Sequence, residues 1–354
     1  MSTTAGRDTE DLISEGRALA PWHLAFDVNS ELNTRDFGDA EHSADFGHIT
    51  MLEREDLFGG TLGKVFPGGL AGRSVLDCAC NCGAYLFFAK EAGAGRCLGF
   101  DLREHWIEQA RFLANHRERP TDDMRFEVSD LYDLPALDPG RFDVTLFLGI
   151  FYHLPDPITG LKLVADLTDE VLIINTATKA GLPDGHLVAE QESSTKLMSG
   201  KYGLSWLPTG PDVLIRILRW LGFAEARCSV WRHAPRQRDD LDRVEVIAAR
   251  TPGFFSAWDA AAPAGPARVR ELIETHTPPG TVLPAIGPLG EIGELKGRTV
   301  VPFAPTQLEE DGTRFLVAIG DGIPSLSEDP ELAARLEQGR RVVDEPNCRI
   351  YALI

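Results

Sequence analysis

One segment constrains this chain more than any other: Val75-Leu-Asp-Cys-Ala-Cys-Asn-Cys-Gly83, an apolar run that ends in an acid and breaks into a turn of small residues. Ser74–Cys78 reads as a strand covered on both faces, since a short continuous apolar run bounded by turn residues suits that environment. A helix-like run follows from Ala84 to about Ala92. The alternation then repeats: Arg96–Asp101 predicts a strand, His105–Asn115 a helix, Arg125–Val128 and Phe142–Leu148 two more strands, Pro157–Leu167 a helix, and Glu170–Asn175 a fifth strand. Strands and helices alternating at this spacing need crossovers, and crossovers give a parallel sheet with helices on its faces.

Farther along, residues 211–222 predict an amphipathic helix with Pro at its first turn and Gly at its end. Ala224–Trp231 and Arg243–Ala249 then predict an antiparallel hairpin on the sheet edge. The expected fold class is α/β: a doubly wound, mostly parallel seven-stranded sheet with an antiparallel edge hairpin, plus a smaller C-terminal α/β module. The expected domains are an N-terminal cap at 1–60, a core at 61–252 and the module at 265–354. The Pro- and Gly-punctuated linker Ala261–Ala267 lies before the module. Helices are expected near Pro266–Thr275 and Asp329–Gln338 within it.

A chain of 354 residues is comfortable for two domains. Its net charge of −19 repels nucleic-acid phosphates, so a small acceptor is expected as substrate and nucleic acid is disfavoured. No apolar run reaches the roughly 18 residues a membrane span needs, so no membrane partner is expected. The polar, acidic N-terminus does not read as a secretory signal, which gives a cytoplasmic expectation. A homodimer is left open. Three of the six cysteines cluster as Cys78, Cys80 and Cys82. A soft-metal site there would need a second ligand pair, and the sequence offers none, so they read as small buried residues and no metal is expected.

The turn after the first strand narrows the cofactor. A dinucleotide fold needs G-x-G-x-x-G, and Asp77 would repel a pyrophosphate. Gly59–Lys64 fails the phosphate-loop pattern at both ends, with Phe58 and Val65 in place of the required residues. A cofactor with no phosphate and a cationic amino-acid head suits the segment better, and S-adenosylmethionine is such a molecule. Asp77, Ala79, Asn81 and Gly83 are its candidate contacts. Asp101, with its neighbour Leu102, ends the second strand where a carboxylate can accept from ribose hydroxyls. Asp130, with Leu131, follows the third strand where a carboxylate can accept from an adenine amine. Each acid also has a plainer reading as a helix cap or a solvated loop end.

These pieces carry a family resemblance. VLDCACNCGAY, LGFD, EQARF, FDVTLFLGIFYHLPDP and the later SWLPT resemble a class I S-adenosylmethionine-dependent methyltransferase with a Rossmann-like sheet. Within that class they are similar to the branch of tRNA wobble-uridine carboxymethyl- and methoxy-forming enzymes and their small-molecule relatives. Pro21-Trp-His resembles that branch's opening without its middle aromatic. Ala79 departs from the branch, where glycine is usual, and sets a methyl group against the cofactor.

The resemblance implies a methyl transfer whose product is S-adenosylhomocysteine, with a small molecule of bacterial secondary metabolism as acceptor. A tRNA-modifying enzyme and a non-catalytic cofactor-binding protein remain the alternatives. Leu148 and Gly149 are expected to offer carbonyls to the cofactor's ammonium, and Tyr152 matches a tyrosine that in the carboxymethyl branch contacts the transferred group. His153 is the candidate general base because histidine titrates near neutral pH; its alternative is a structural role in the loop. Trp22, His23, His186, Glu190 and Trp206 are candidate acceptor contacts, with His186 and Glu190 expected in a loop after the fifth strand. The basic stretch Arg227–Arg243 around Trp231 reads as a polar hairpin tip, because Asp239, Asp240 and Asp242 offset it.

Overall fold

The computed structural model describes residues 9–22, 27–37, 61–63, 65–117, 121–180, 182–193, 199–233, 240–256, 266–277, 282–286, 298–302, 315–319, 340–345 and 348–352, with Leu295 and Leu336. The chain divides into two compact units. One is Met1–Ile150 with Ile158–Ile173; the other is Phe151–Pro157 with Ile174–Ile354.

The first unit begins with helix α1 (Thr9–Ala18). It continues through β1 (Val75–Cys78), α2 (Ala84–Glu91), β2 (Cys97–Asp101), α3 (Glu104–His116), β3 (Met124–Val128), β4 (Phe142–Leu148), α4 (Pro157–Asp166) and the start of β5 (Thr168–Lys179). Every residue of β1 and β2 is buried, as expected of apolar runs covered on both faces. β1 runs parallel to β2 and β4, and β2 parallel to β3. The helix α3 buries Trp106, Ile107, Ala110 and Leu113, one stripe at helical spacing, and packs on β2 and β3.

The second unit carries the end of β5, then β6 (Leu187–Gln191), β7 (Leu204–Pro208), α5 (Pro211–Trp220), β8 (Glu225–His233) and β9 (Leu241–Ala249). The helix α5 starts on Pro211, buries Leu214 and Leu218, and packs on β8 and β9. Burying each of those leucines contributes about 1.5–3 kcal/mol, which outweighs the weak helix preference of the β-branched Val213 and Ile215. The strands β8 and β9 pair antiparallel from Glu225↔Ala249 to His233↔Asp242, with a bulge between Cys228 and Val230. Downstream lie α6 (Pro266–His276), β10 (Val282–Ile286), β11 (Thr299–Pro302), β12 (Phe315–Ile319), β13 (Arg340–Glu345) and β14 (Cys348–Ala352). These strands form a separate sheet ordered β11-β10-β12-β14-β13, and Leu272, Ile273, Leu283, Val317 and Ile350 form its core with α6.

The main sheet has seven strands in the order β3-β2-β1-β4-β5-β9-β8, with β5 belonging to both units. The α/β class, the mostly parallel sheet and the antiparallel edge hairpin agree with the sequence reading.

Two local expectations are corrected. The fifth strand does not stop at Asn175 but runs on through Lys179, because Thr176, Ala177 and Thr178 are buried, and threonine suits a strand. The segment holding His186 and Glu190 is not a loop. Glu190 lies in β6, which pairs antiparallel with β7, and His186 directly precedes it. The helix expected near Asp329–Gln338 and the linker at Ala261–Ala267 fall largely outside the described residues. No described helix is long and apolar enough to cross a membrane.

Candidate functional site

In the first unit, strand order reverses between β1 and β4. In open α/β sheets ligands bind outside the carboxyl ends of the strands at such a point. Asp77 and Ala79 stand at the end of β1, and Leu148 and Gly149 at the end of β4. Three residues of the β1–α2 turn have left-handed backbone: Ala79 at φ 59°, Asn81 at 51° and Gly83 at 80°. The turn is fixed from several sides. Cys80 N–H donates to Phe100 O at 2.9 Å, Gly83 N–H to Cys80 O at 2.9 Å, and Asn81 N–H to Asp101 Oδ2 at 3.1 Å. Gly83 is required for space as well as φ, since a Cβ there would sit 2.5 Å from Phe126 Cε1.

Asp77 is buried, and its Oδ2 has no hydrogen-bond partner among the described residues. Burial, and then the nearby charge of Asp101, holds its carboxyl well above the usual carboxylate range. Asp101 is also pushed up by burial, against the opposing pull of the Arg103 and Asn81 amides. Its Oδ1 accepts from Arg103 N–H at 3.0 Å, so the carboxylate joins the two turns that follow β1 and β2. Asp130 caps the 3-10 turn Leu131–Leu137, accepting from Tyr132 N–H at 3.0 Å. That is its plainer reading, and Leu131 beside it is buried. Leu102 and Leu148 are half-buried. Cys78, Cys80 and Cys82 are buried thiols outside any disulfide. Burial pushes Cys78 and Cys80 well above the thiol range, which suits packing rather than nucleophilic chemistry.

Trp22 packs against Phe37 at 5.5 Å and edge-on to Phe112 at 5.9 Å, and its indole N–H donates to Gly16 O at 2.7 Å. Those contacts make it part of the packing of α1 and α3. His23 lies outside the described residues.

In the second unit, Tyr152 and His153 occupy the 3-10 turn Phe151–His153, their rings 3.9 Å apart. Tyr152 packs against Ala177, Leu207 and Leu241, with the Arg243 guanidinium 5.7 Å from its ring centroid. His153 Nδ1 is 2.7 Å from Glu192 Oε1. Trp206 donates its indole N–H to Pro155 O at 3.2 Å.

The register sets Glu190 opposite Ser205 and Ala189 opposite Trp206, so Glu190 and Trp206 project from opposite faces of the β6–β7 ribbon. Glu190 is held by Lys179 Nζ at 2.5 Å, which also reaches Asp240 Oδ2 at 2.6 Å. His186 is exposed, with Nδ1 3.2 Å from Pro183 O. The turn carrying Tyr152 and His153 thus lies against β7, with Trp206 tied to Pro155, while Glu190 sits in an ion-pair network. Sequence reasoning missed Glu192, Lys179 and Arg243. Their roles come from long-range pairing, for which the local sequence carries no signal.

Comparison with known proteins agrees with this fold. Residues 75–169 match a family model described as a methyltransferase domain. Over that segment the chain resembles the class I S-adenosylmethionine-dependent methyltransferases, whose methyl donor is S-adenosylmethionine. Within that class it is similar to a tRNA U34 carboxymethyltransferase of Ectopseudomonas mendocina, 31% identical over 164 residues, which is 45% of this chain and 47% of that protein. A tRNA U34 carboxymethyltransferase of Nautilia profundicola is 34% identical over 93 residues, 26% of this chain and 30% of that one. The chain therefore spans about half the length or less of these curated relatives. Among solved structures, the N-terminal domain of EvdMO1 with SAH bound superposes with a TM-score of 0.54 at 18% identity, covering 70% of this chain and 99% of that one. The same domain in the presence of SAH and D-fucose gives 0.53.

Proposed function

We propose that this protein transfers a methyl group from S-adenosylmethionine to a small hydroxylated acceptor. The observation that carries the reading is Asp77: a buried carboxyl near the end of β1, one oxygen unpartnered among the described residues, beside a turn bound by backbone amides and free of phosphate-binding glycine spacing. A buried anion of this kind is costly unless a cation pairs with it, and the donor's ammonium is such a cation. Asp77, Ala79, Asn81, Gly83, Asp101, Leu102, Asp130, Leu131, Leu148 and Gly149 would hold the donor, which supplies an electrophilic methyl when bound. His153 takes the acceptor's proton. Tyr152 and Trp206 give the acceptor apolar surface.

A second reading, transfer to tRNA, is favoured by the curated relatives' names. The net charge of −19 opposes it, because tRNA binding draws its affinity from neutralised phosphates. Incubation with methyl-tritiated S-adenosylmethionine, separately with unmodified bacterial tRNA and with a panel of phenols and sugars, tests both. Label in the small-molecule fraction is expected. Label in tRNA, with binding that weakens steeply with salt, selects the second reading. Calorimetry showing no affinity for S-adenosylmethionine or S-adenosylhomocysteine overturns both.

A further inference from the structure

Strand β6 ends at Gln191, and the next residue is pinned: Glu192 N–H donates to Gly203 O at 3.0 Å. From there the carboxylate meets the turn that carries His153. Its Oε1 accepts from Gly200 N–H at 3.0 Å and lies 2.7 Å from His153 Nδ1. The approach to the imidazole is oblique: at 2.7 Å it is an ion-pair contact, and the buried Nδ1 has no well-aligned hydrogen bond among the described residues. Both side chains are largely enclosed, 19% exposed for His153 and 15% for Glu192. Gly200 makes the packing possible, because a Cβ there would overlap Glu192 Oε2 and come 3.1 Å from His153 Cβ and Nδ1. Burial pushes the Glu192 carboxyl up, but the hydrogen bond and charge of His153, with the Gly200 amide and the Ser205 hydroxyl, outweigh it and leave the group below its usual range.

We infer that Glu192 is the positioning residue of His153: it holds the neutral ring as the Nδ1–H tautomer and leaves the Nε2 lone pair for the acceptor's proton. The inference rests on the reading of His153 as general base. A neutral imidazole carries one proton on one nitrogen, and the partner of one nitrogen decides the state of the other. With Nδ1–H turned to a carboxylate, Nε2 is the basic site. As the acceptor's lone pair forms its bond to the methyl carbon and the sulfur–methyl bond breaks, the acceptor's proton passes to Nε2. The resulting imidazolium is balanced by the Glu192 carboxylate.

The test uses the full chain with ¹⁵N-labelled histidine and S-adenosylhomocysteine, the His153 signals being identified by their loss in His153→Gln. The neutral wild-type ring is expected as Nδ1–H. Glu192→Leu, which removes the acceptor, should move it to Nε2–H. It should also slow carbethoxylation of His153 by diethylpyrocarbonate at least about fivefold, since that reagent needs a free ring lone pair. Glu192→Gln keeps an oxygen for Nδ1–H and should restore both readouts. A purely structural pair would lower the melting temperature in both variants alike, with no change of tautomer. An Nε2–H ring in the wild type, or an Nδ1–H ring retained in folded Glu192→Leu, overturns the inference at Glu192. If the tautomer shifts as expected but His153→Gln still transfers label to the tRNA or small-molecule panel at the wild-type rate, the base reading fails and takes the inference with it.

Discussion

Asp101 Oδ2 accepts the backbone N–H of Asn81 at 3.1 Å, so one carboxylate at the end of β2 holds the turn that follows β1. Its other oxygen accepts from Arg103 N–H. Asp101→Ala should therefore act twice. It removes hydrogen bonds to a charged acceptor, each worth about 1.5–3 kcal/mol, and it loosens the turn proposed to hold the donor. Calorimetry is expected to show S-adenosylmethionine binding weakened at least about tenfold, together with a lower melting temperature. Unchanged affinity in a folded variant would remove Asp101 from the donor site.

Asp77 gives a pH dependence of defined sign. Burial raises its carboxyl in the folded, ligand-free chain. Its contribution to stability is then fully present below the ordinary carboxylate value and is lost as pH rises through the raised folded value. A cation beside it favours the ionised form and pulls the value back down. Affinity for S-adenosylmethionine should consequently increase with pH across that window, and binding at its acid end should release protons. Calorimetry in buffers of different ionisation enthalpy measures the release. Asp77→Asn should abolish the release, weaken binding about tenfold or more, and stabilise the ligand-free chain toward higher pH.

The Lys179 ammonium separates a structural from an acceptor-binding role for Glu190. Hydrogen bonds that it donates to Asp240 and Glu190 raise its pKa, outweighing burial. The side chains remain partly exposed, so the pair energies are small, about 1 kcal/mol or less. Lys179→Met leaves two carboxylates close together, and Glu190→Gln relieves that repulsion. Chemical denaturation of both single variants and the double variant should give a non-additive cycle, with the double variant more stable than Lys179→Met alone. Glu190→Gln should leave the KM for the acceptor unchanged.

The sheet was legible in the sequence because its central strands are covered on both faces. Val75–Cys78, Cys97–Asp101 and Phe142–Leu148 have to be apolar almost throughout, and a continuous run bounded by turn residues announces itself. The edge hairpin was legible from two runs joined by a polar stretch. The ribbon β6–β7 was not: Leu187–Gln191 is half-exposed and mixes polar with apolar residues, so its strand character comes from pairing with Leu204–Pro208. Trp22 reads in the sequence as a candidate acceptor contact, and its aromatic partners lie 15 and 90 positions away, where local pattern carries no signal. The tie between Glu192 and His153 was hidden for the same reason. It spans nearly forty residues and depends on Gly200 leaving room between them.

The β1–α2 turn yields a pair of substitutions with opposite signs. Ala79 sits at φ 59°, where an L side chain costs roughly 1–2 kcal/mol through the clash of Cβ with backbone. Ala79→Gly removes that clash, while the added freedom of the unfolded chain takes back about 0.4–1 kcal/mol. The net expectation is a gain of about 0.5–1 kcal/mol, read as a higher denaturation midpoint with an unchanged slope. Removing the methyl should also tighten S-adenosylmethionine binding if the donor lies along this turn. Gly83 is the reverse case. At φ 80°, with Phe126 Cε1 at 2.5 Å and the Ala110 methyl at 3.4 Å from the position of a Cβ, Gly83→Ala meets backbone strain and an aromatic ring in the core together. It should lose at least about 2 kcal/mol, since overpacking and a left-handed alanine each contribute about 1 kcal/mol or more. A stable Gly83→Ala variant with wild-type affinity would show that neither the φ of this turn nor its contact with Phe126 shapes the donor site.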